Sequence, residues 1–196
     1  MKTGKEEKVR LLRRVLVSYN DFKQAAHISS HILAAKLHRN YPEKDRHILQ
    51  ALNCAMIIAY DRPFSGNRGS KTMLAVLPER VLNAFTTDER VLHQVVMKDR
   101  NELLAHSDQN AWCLRLSVIK SSGRTPMLVP LHRDTAAPLD EKHTRMFTGM
   151  AHKLMETLFA ERRALEKELI DVLPTLSLED GSVTGDEQAM RYGGWS

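Results

Sequence analysis

A long stretch near the amino terminus, from Glu6 to Leu37, most strongly constrains the fold because it contains neither proline nor glycine. Apolar side chains recur along it at intervals close to 3.6 residues, which predicts an amphipathic helix that must bury one face. Asn20 and Asp21 are poor residues for the middle of a helix, so a bend with Asp21 capping a second helix is the alternative. In both cases the amino-terminal part of the chain is predicted to be helical and to pack one face against the rest of the protein.

Three further segments predict helical structure. Residues 43–60 predict a second helix, and its stretch 48–59 is apolar nearly all round, which is typical of a helix at the centre of a bundle. Pro78 starts a helical turn over residues 79–84, and residues 138–169 form a last long helix that opens at Pro138 and Asp140. Aromatic residues make up only 6% of the 196 residues, which also favours helix over a β-sandwich.

The apolar period changes to two between residues 112 and 131, with a Gly-containing turn in the middle, and this predicts a β-hairpin. Pro130 should confine the second strand to a sheet edge. Residues 173–196 lack periodicity and are predicted to be a flexible acidic tail. The expected architecture is therefore mainly α: one domain over residues 1–172, a four-to-five-helix bundle with a small β-hairpin before the last long helix.

Charge and hydropathy narrow the class of protein. No apolar run approaches the ~20 residues of a membrane span, and no signal peptide is evident, so we expect a soluble cytoplasmic protein without a membrane partner. The net charge is +5, but residues 1–170 hold 28 basic and 19 acidic residues and so carry +9. A basic body suits a polyanionic partner such as RNA, or it is a solvated surface that keeps the protein soluble.

A helix is predicted over residues 87–105, with Thr87 or Asp88 as its cap. Near its end, Arg100, Asn101 and His106 place a cation, an amide and an imidazole close together in sequence. Arginine binds phosphate through two parallel N–H groups, and histidine transfers protons near neutral pH. These groups suffice for metal-independent cleavage of RNA, in which the 2′-OH attacks the adjacent phosphate.

Helix geometry opposes a simple site of this kind. Arg100 and His106 lie ~120° apart around a straight helix, so they share a face only if the helix ends near Ala105 or if two chains form the site together. The alternative is that both side chains are satisfied by the acidic residues among residues 99–108 on a solvated helix end.

Arg100-Asn101, a spacer and His106 resemble the R-x(4–6)-H motif of the HEPN superfamily, in which a polar residue follows the arginine. The apolar second helix and the segment Ala59-Tyr-Asp-Arg-Pro-Phe64 also look like abortive-infection members of that group. The resemblance implies a helical bundle and a metal-independent endoribonuclease or RNA-binding relative. It further implies a homodimer in a phage-defence or toxin–antitoxin setting, with an antitoxin or another protein as a second partner.

The same resemblance implies roles for the motif residues. Arg100 would bind and stabilise phosphate, His106 would transfer a proton, and Asn101 would position one of them. In active members the motifs of two protomers meet at the dimer interface. The alternative from a different class is a catalytically silent helical module for dimerisation or for binding another protein.

Two other patterns carry weaker predictions. The loop from Gly66 to Thr72 does not match the spacing of a phosphate-binding loop, so a small nucleotide-binding protein is the weakest hypothesis. The basic residues in and beside this loop are instead predicted to contact the RNA backbone. They are Arg62, Arg68 and Lys71.

The histidines predict no metal site and no cofactor is expected. His27 and His31 are four residues apart, but the glutamate of the His-Glu-x-x-His pattern is missing. Six other histidines, His93 among them, are expected to be scattered without partners.

Overall fold

The fold is described by a computed structural model in which five helices account for 77% of the described residues and a small antiparallel sheet precedes the last long helix. The mainly α architecture predicted from the sequence is therefore confirmed. The described residues are 4–38, 46–66, 73–74, 76–100, 115–120, 125, 127–131, 138–171, 173, 176–179 and 182–185.

The elements follow one another in a simple order along the chain. The helices are α1 (Gly4–Ala34), α2 (Arg46–Asp61), a 3-10 helix (Glu79–Ala84), α3 (Thr87–Asp99) and α4 (Glu141–Leu169). The strands are β1 (Arg115–Ile119), β2 (Met127–Leu131), β3 (Leu176–Glu179) and β4 (Ser182–Gly185).

The two longest helices, α1 and α4, pack side by side in opposite directions. Lys8 near the start of α1 pairs with Glu168 at the end of α4, and Ser29 near the end of α1 accepts a 2.8 Å hydrogen bond from Thr148 near the start of α4. Their facing apolar side chains form the centre of the core. No helix in the described part of the chain is both long and apolar enough to cross a membrane.

Helix α1 is unbroken from end to end, so the alternative of a bend capped by Asp21 is wrong. Asp21 lies one residue before Phe22, which is fully buried, and its carboxylate pairs at 3.2 Å with Arg62 from the segment after α2. The burial of Phe22 and the neighbouring turns of α1 outweighs the poor helix propensity of Asn20 and Asp21.

Helix α2 packs on the bundle through one side rather than lying at its centre. Met56 and Tyr60 are fully buried, whereas Ile48 and Ile58 are 54% and 38% exposed. The prediction of a central helix from its apolar composition was therefore wrong in this respect. More apolar residues are present in α2 than its contacting face can cover, and isolated exposed aliphatic residues are common on protein surfaces.

The cap of helix α3 lies one residue earlier than the sequence predicts. The cap is Thr86, whose hydroxyl accepts from the Glu89 backbone N–H while the Glu89 carboxylate accepts from the Thr86 N–H at 2.8 Å. This reciprocal pair is a capping box, which requires a hydroxyl three residues before the acid. Thr87 and Asp88 do not have that spacing to Glu89.

The predicted hairpin is present as β1 paired with β2, and Pro130 lies opposite Leu116 in a sheet of two edge strands. Residues 112–114 of the predicted hairpin lie outside the described residues. A second hairpin, β3 with β4, occurs in the segment predicted as a flexible tail. The division of the chain at residue 172 stays a prediction.

Candidate functional site

The candidate site is built on the turn that ends α2, at Asp61. The backbone N–H groups of Phe64 and Ser65 donate to the Asp61 carbonyl at 2.8 and 3.0 Å, which closes the turn. The Asp61 side chain is only 2% exposed, and the Ser65 hydroxyl donates to it. A carboxylate this deeply buried is stable as an anion only when it has hydrogen-bond donors and an opposite charge nearby.

Arg14 of α1 holds the other side of the turn. Its side chain is almost completely buried, and Nη2 donates to the carbonyls of Arg62 and Pro63 at 2.7 Å and of Ser65 at 3.3 Å. Burial lowers the pKa of Arg14, and the nearby charge of Asp21 opposes that shift. The turn after α2 is thereby fixed by a buried cation from a different helix.

Arg100 supplies the opposite charge for Asp61. Its Nε lies 2.9 Å from Asp61 Oδ2, and its side chain is 34% exposed. Arg100 follows the last residue of α3 in helical conformation, two turns after His93 on the same face of the helix. This face points toward α2, so the guanidinium joins the ends of the two helices, and about a third of the whole side chain is exposed.

The pairing of Arg100 with Asp61 was not foreseen from the sequence. The acids that were expected to pair with Arg100 lie within residues 99–108, whereas the observed partner lies 39 residues earlier in the chain. Two sequence signals were available: a single acid ends the apolar run of α2, and His93 and Arg100 are seven residues apart. Neither signal identifies the partner until the packing of α2 against α3 is known.

His93 has partners, contrary to the expectation that it is isolated. Its Nδ1 lies 2.9 Å from the Tyr60 hydroxyl, and its ring meets Phe64 edge-on with centroids 4.9 Å apart. Burial lowers the pKa of His93, Arg90 shifts it the same way, and Asp61 opposes both. Burial also raises the pKa of Tyr60, so both groups favour their neutral forms at neutral pH.

Only one of the three basic residues predicted to contact RNA lies within the described part of the chain. Arg62 is about half exposed at the same end of the bundle, where Nη1 lies 3.2 Å from Asp21 Oδ1 and 3.4 Å from the Gln24 amide oxygen. Arg68, Lys71, Asn101 and His106 lie outside the described residues, so Arg100 and Arg62 are the members of the predicted site whose surroundings are known.

The described part of the site presents two arginine side chains, Arg100 and Arg62, each paired with a carboxylate. A guanidinium has five N–H donors in one plane, so an arginine is able to contact a carboxylate through Nε and other acceptors through its remaining N–H groups. Within the ranges that the structure describes, no three His, Cys, Asp or Glu side chains are arranged to hold a metal ion. His27 and His31 are both exposed on α1.

Comparison with protein-family models, with curated proteins and with solved structures finds no match for this chain. The resemblance to the HEPN superfamily therefore rests on the residues quoted from the sequence.

Proposed function

We propose that this protein is a HEPN-like metal-independent endoribonuclease or an RNA-binding relative of such enzymes. The observation that carries the proposal is the anchoring of Arg100 by the buried Asp61, which holds this partly exposed arginine side chain at the end of α3. The chain continues from that point into Asn101 and His106, the other two residues of the motif.

In this proposal Arg100 binds the scissile phosphate and stabilises the negative charge that develops on it. His106 transfers the proton of the attacking 2′-OH or of the leaving oxygen, and Asn101 orients one of these groups. Arg62 lies at the same end of the bundle, next to Asp61 in sequence, where it adds positive charge for the RNA backbone. Arg68 and Lys71 extend that charge in the proposal.

The proposed setting is phage defence or a toxin–antitoxin system in the cytoplasm, with a homodimer as the working unit and an antitoxin or another protein as its partner. A site shared between two protomers removes the difficulty that Arg100 and His106 are six residues apart. Arg100 of one protomer then acts with His106 of the other.

The test is cleavage of a mixed RNA pool by the purified full-length protein, with and without EDTA, beside the variant His106→Ala. We expect cleavage that resists EDTA and falls by about 100-fold or more in the variant, the usual contribution of a proton-transferring side chain. His152→Ala is the matched control, because His152 is exposed on α4 and has no proposed role. Its activity should equal that of the unmodified protein.

Other outcomes separate the two forms of the proposal and its alternative. RNA binding that weakens with salt but produces no cleavage supports the RNA-binding relative. Cleavage that persists in His106→Ala, or that EDTA abolishes, contradicts the proposed mechanism. If the protein neither binds nor cleaves RNA, the alternative of a catalytically silent dimerisation or protein-interaction module is favoured.

A specific observation favours that alternative as the second candidate. The hairpin of β1 and β2 exposes four aliphatic side chains in directly opposed pairs, Val118 with Leu128 and Ile119 with Met127, each more than half exposed. Successive strand residues point to opposite faces, so one apolar pair lies on each face of the hairpin. Exposed apolar side chains beside strand edges that are unpaired in the described part of the chain are typical of protein-interaction sites. Under this alternative, light scattering should show a stable dimer or complex even though RNA has no effect.

A further inference from the structure

The side chain of Arg14 is a charged group inside the helical bundle that the proposed reaction does not use. Arg14 lies in the middle of α1 and is 1% exposed. Within the part of the chain that the structure describes, its Nε has no hydrogen-bond partner. Burying a guanidinium with an unpaired N–H costs free energy, and an apolar residue of similar volume often fills a core equally well. Arg14 is therefore poorly explained by packing alone.

The hydrogen bonds of Arg14 hold the turn that follows α2. Its Nη2 donates to the carbonyls of Arg62 and Pro63 at 2.7 Å and to the carbonyl of Ser65 at 3.3 Å. Carbonyl groups at the end of a helix lack partners within the helix and lie at the negative end of its dipole, so a cation is a suitable donor to them. Helix α1 thereby sets the path of the chain over residues 62–65.

Ser65 connects this turn to the carboxylate that holds Arg100. The Ser65 carbonyl accepts from Arg14, and the Ser65 hydroxyl donates to Asp61 Oδ2. The same oxygen, Asp61 Oδ2, lies 2.9 Å from Arg100 Nε. One oxygen atom is thus shared by a donor that Arg14 holds in place and by the arginine of the motif.

We propose that Arg14 is a positioning residue for Arg100. By holding the turn, Arg14 places the Ser65 hydroxyl against Asp61 Oδ2, and the carboxylate then receives Arg100 Nε in one orientation. The effect on RNA cleavage rests on the proposed function, in which Arg100 binds the scissile phosphate, whereas the positioning itself does not. A displacement of about 1 Å in a group that stabilises a transition state costs about 100-fold in rate.

The first test observes Arg100 directly by NMR, in full-length protein that contains isotope-labelled arginine. An Nε–H that donates to a buried carboxylate exchanges slowly with water, and its signal is assigned by its absence in Arg100→Lys. We expect this signal to shift or broaden in Arg14→Met, which removes the donors to the turn, and in Ser65→Ala, which removes one hydroxyl. Arg14→Lys keeps a cation that donates to the same carbonyls and should retain the signal. Ile32→Ala, a core cavity about 27 Å farther along α1, is the matched control and should also retain it.

The second test measures kcat and KM for RNA cleavage separately. Because Arg100 is proposed to act on the charge that develops in the transition state, Arg14→Met and Ser65→Ala should lower kcat by about 10- to 100-fold and change KM by less than about threefold. The double variant should lose no more than the worse single variant, since both substitutions break the same chain of contacts. Arg14→Lys should recover most of kcat, and Ile32→Ala should keep the kcat of the unmodified protein per folded molecule.

The two tests separate failure of the positioning role from failure of the proposed function. An unchanged Arg100 signal in Arg14→Met and Ser65→Ala, with circular dichroism showing that both are folded, overturns the positioning role whether or not RNA is cleaved. Equal signal loss in Ile32→Ala, or additive losses of kcat in the double variant, overturns it as well. If Arg14→Met does not fold, Ser65→Ala alone decides the matter. A changed signal in a protein that does not cleave RNA supports the positioning role and contradicts the proposed ribonuclease.

Discussion

Helix α3 is fixed at both ends by a buried carboxylate and a cation, but the two ends are built differently. At its start, Glu89 is a residue of α3 itself and pairs with Lys153 of α4 at 2.7 Å. At its end, the carboxylate is Asp61 of α2 and the cation is Arg100, which follows α3. Each pair ties α3 to a different neighbouring helix.

The difference between the two ends lies in which helix supplies the buried carboxylate. Glu89 is held by the backbone and hydroxyl of Thr86 as well as by Lys153, so its role is explained by capping and packing alone. At the other end Asp61 receives the Ser65 hydroxyl and the Arg100 guanidinium, and the Arg100 side chain is 34% exposed, close to the 36% of Lys153. The two cations are thus similarly exposed, and the ends differ in the carboxylate: Glu89 belongs to the cap of its own helix, whereas Asp61 joins the end of α3 to the end of α2.

The largest effect is expected from breaking the pair at the end of α3. Arg100→Met leaves the Asp61 carboxylate buried without its cation, and the free energy of unfolding should fall by about 2–4 kcal/mol. Adding Asp61→Asn removes the orphaned charge and should recover part of the loss. Urea unfolding of the two single variants and the double variant measures the coupling. A loss below about 0.5 kcal/mol in Arg100→Met would show that water already satisfies Asp61 and that Arg100 is not fixed by it.

A smaller effect is expected at the start of α3. Glu89→Gln keeps the shape of the side chain but removes the charge that Lys153 and the Thr86 backbone bind, at a cost of about 1–2 kcal/mol. Burial opposes ionisation of Glu89, but the bonds from Lys153 and Thr86 outweigh it and lower its pKa. The stabilisation is therefore present above the unfolded pKa near 4.5 and is lost as the pH falls through the folded value.

Urea unfolding between pH 3 and pH 7 checks this prediction. The difference in unfolding free energy between the unmodified protein and Glu89→Gln should shrink toward the acid end of the range. A difference that does not change with pH would mean that the pair with Lys153 contributes by packing rather than by charge.

The same contrast explains how much was predictable from the sequence. The 3.6-residue spacing of apolar side chains identified the helices, and the change to a period of two identified the hairpin of β1 and β2, because both are local patterns. The capping box at Thr86 and Glu89 is also local, and it was missed by one residue because Asp88 offers a competing cap. Local sequence signals thus identified the helices and the first hairpin, and they placed the start of α3 to within one residue.

The second hairpin also had a local signal that was overlooked. Leu176-Ser-Leu178-Glu alternates in polarity, and the dipeptide Asp180-Gly181 between the strands is a strong hairpin signal. The acidic composition of residues 173–196 instead led to the prediction of a flexible tail.

The ion pair at the end of α3 could not be predicted from local sequence patterns. The pairing of Arg100 with Asp61 depends on how α2 meets α3, and the bond between Tyr60 and His93 depends on the same packing. The partners in these two contacts are 39 and 33 positions apart, and no sequence pattern links residues at such distances until the helix packing is known. The motif indicated which residues to consider, but the anchoring of Arg100 became visible only in three dimensions.

The smallest and most specific effect concerns His93, which lies between the two ends of α3. Because burial lowers its folded pKa, the unfolded chain binds a proton near pH 6.5 more readily than the folded chain does. The free energy of unfolding should therefore decrease as the pH falls from 7 to 5, by up to about 1 kcal/mol.

His93→Gln keeps an acceptor for Tyr60 but cannot take up the proton, so this slope should flatten, whereas the exposed control His152→Gln should keep it. An unchanged slope in His93→Gln would place the acid sensitivity in another group. Because Glu89 responds only near and below pH 4.5, the two variants separate the pH dependence of the middle of α3 from that of its start. The part of the stability change between pH 7 and pH 5 that disappears in His93→Gln thus reports on the packing around Tyr60, and the part that remains includes His38, whose pKa burial also lowers.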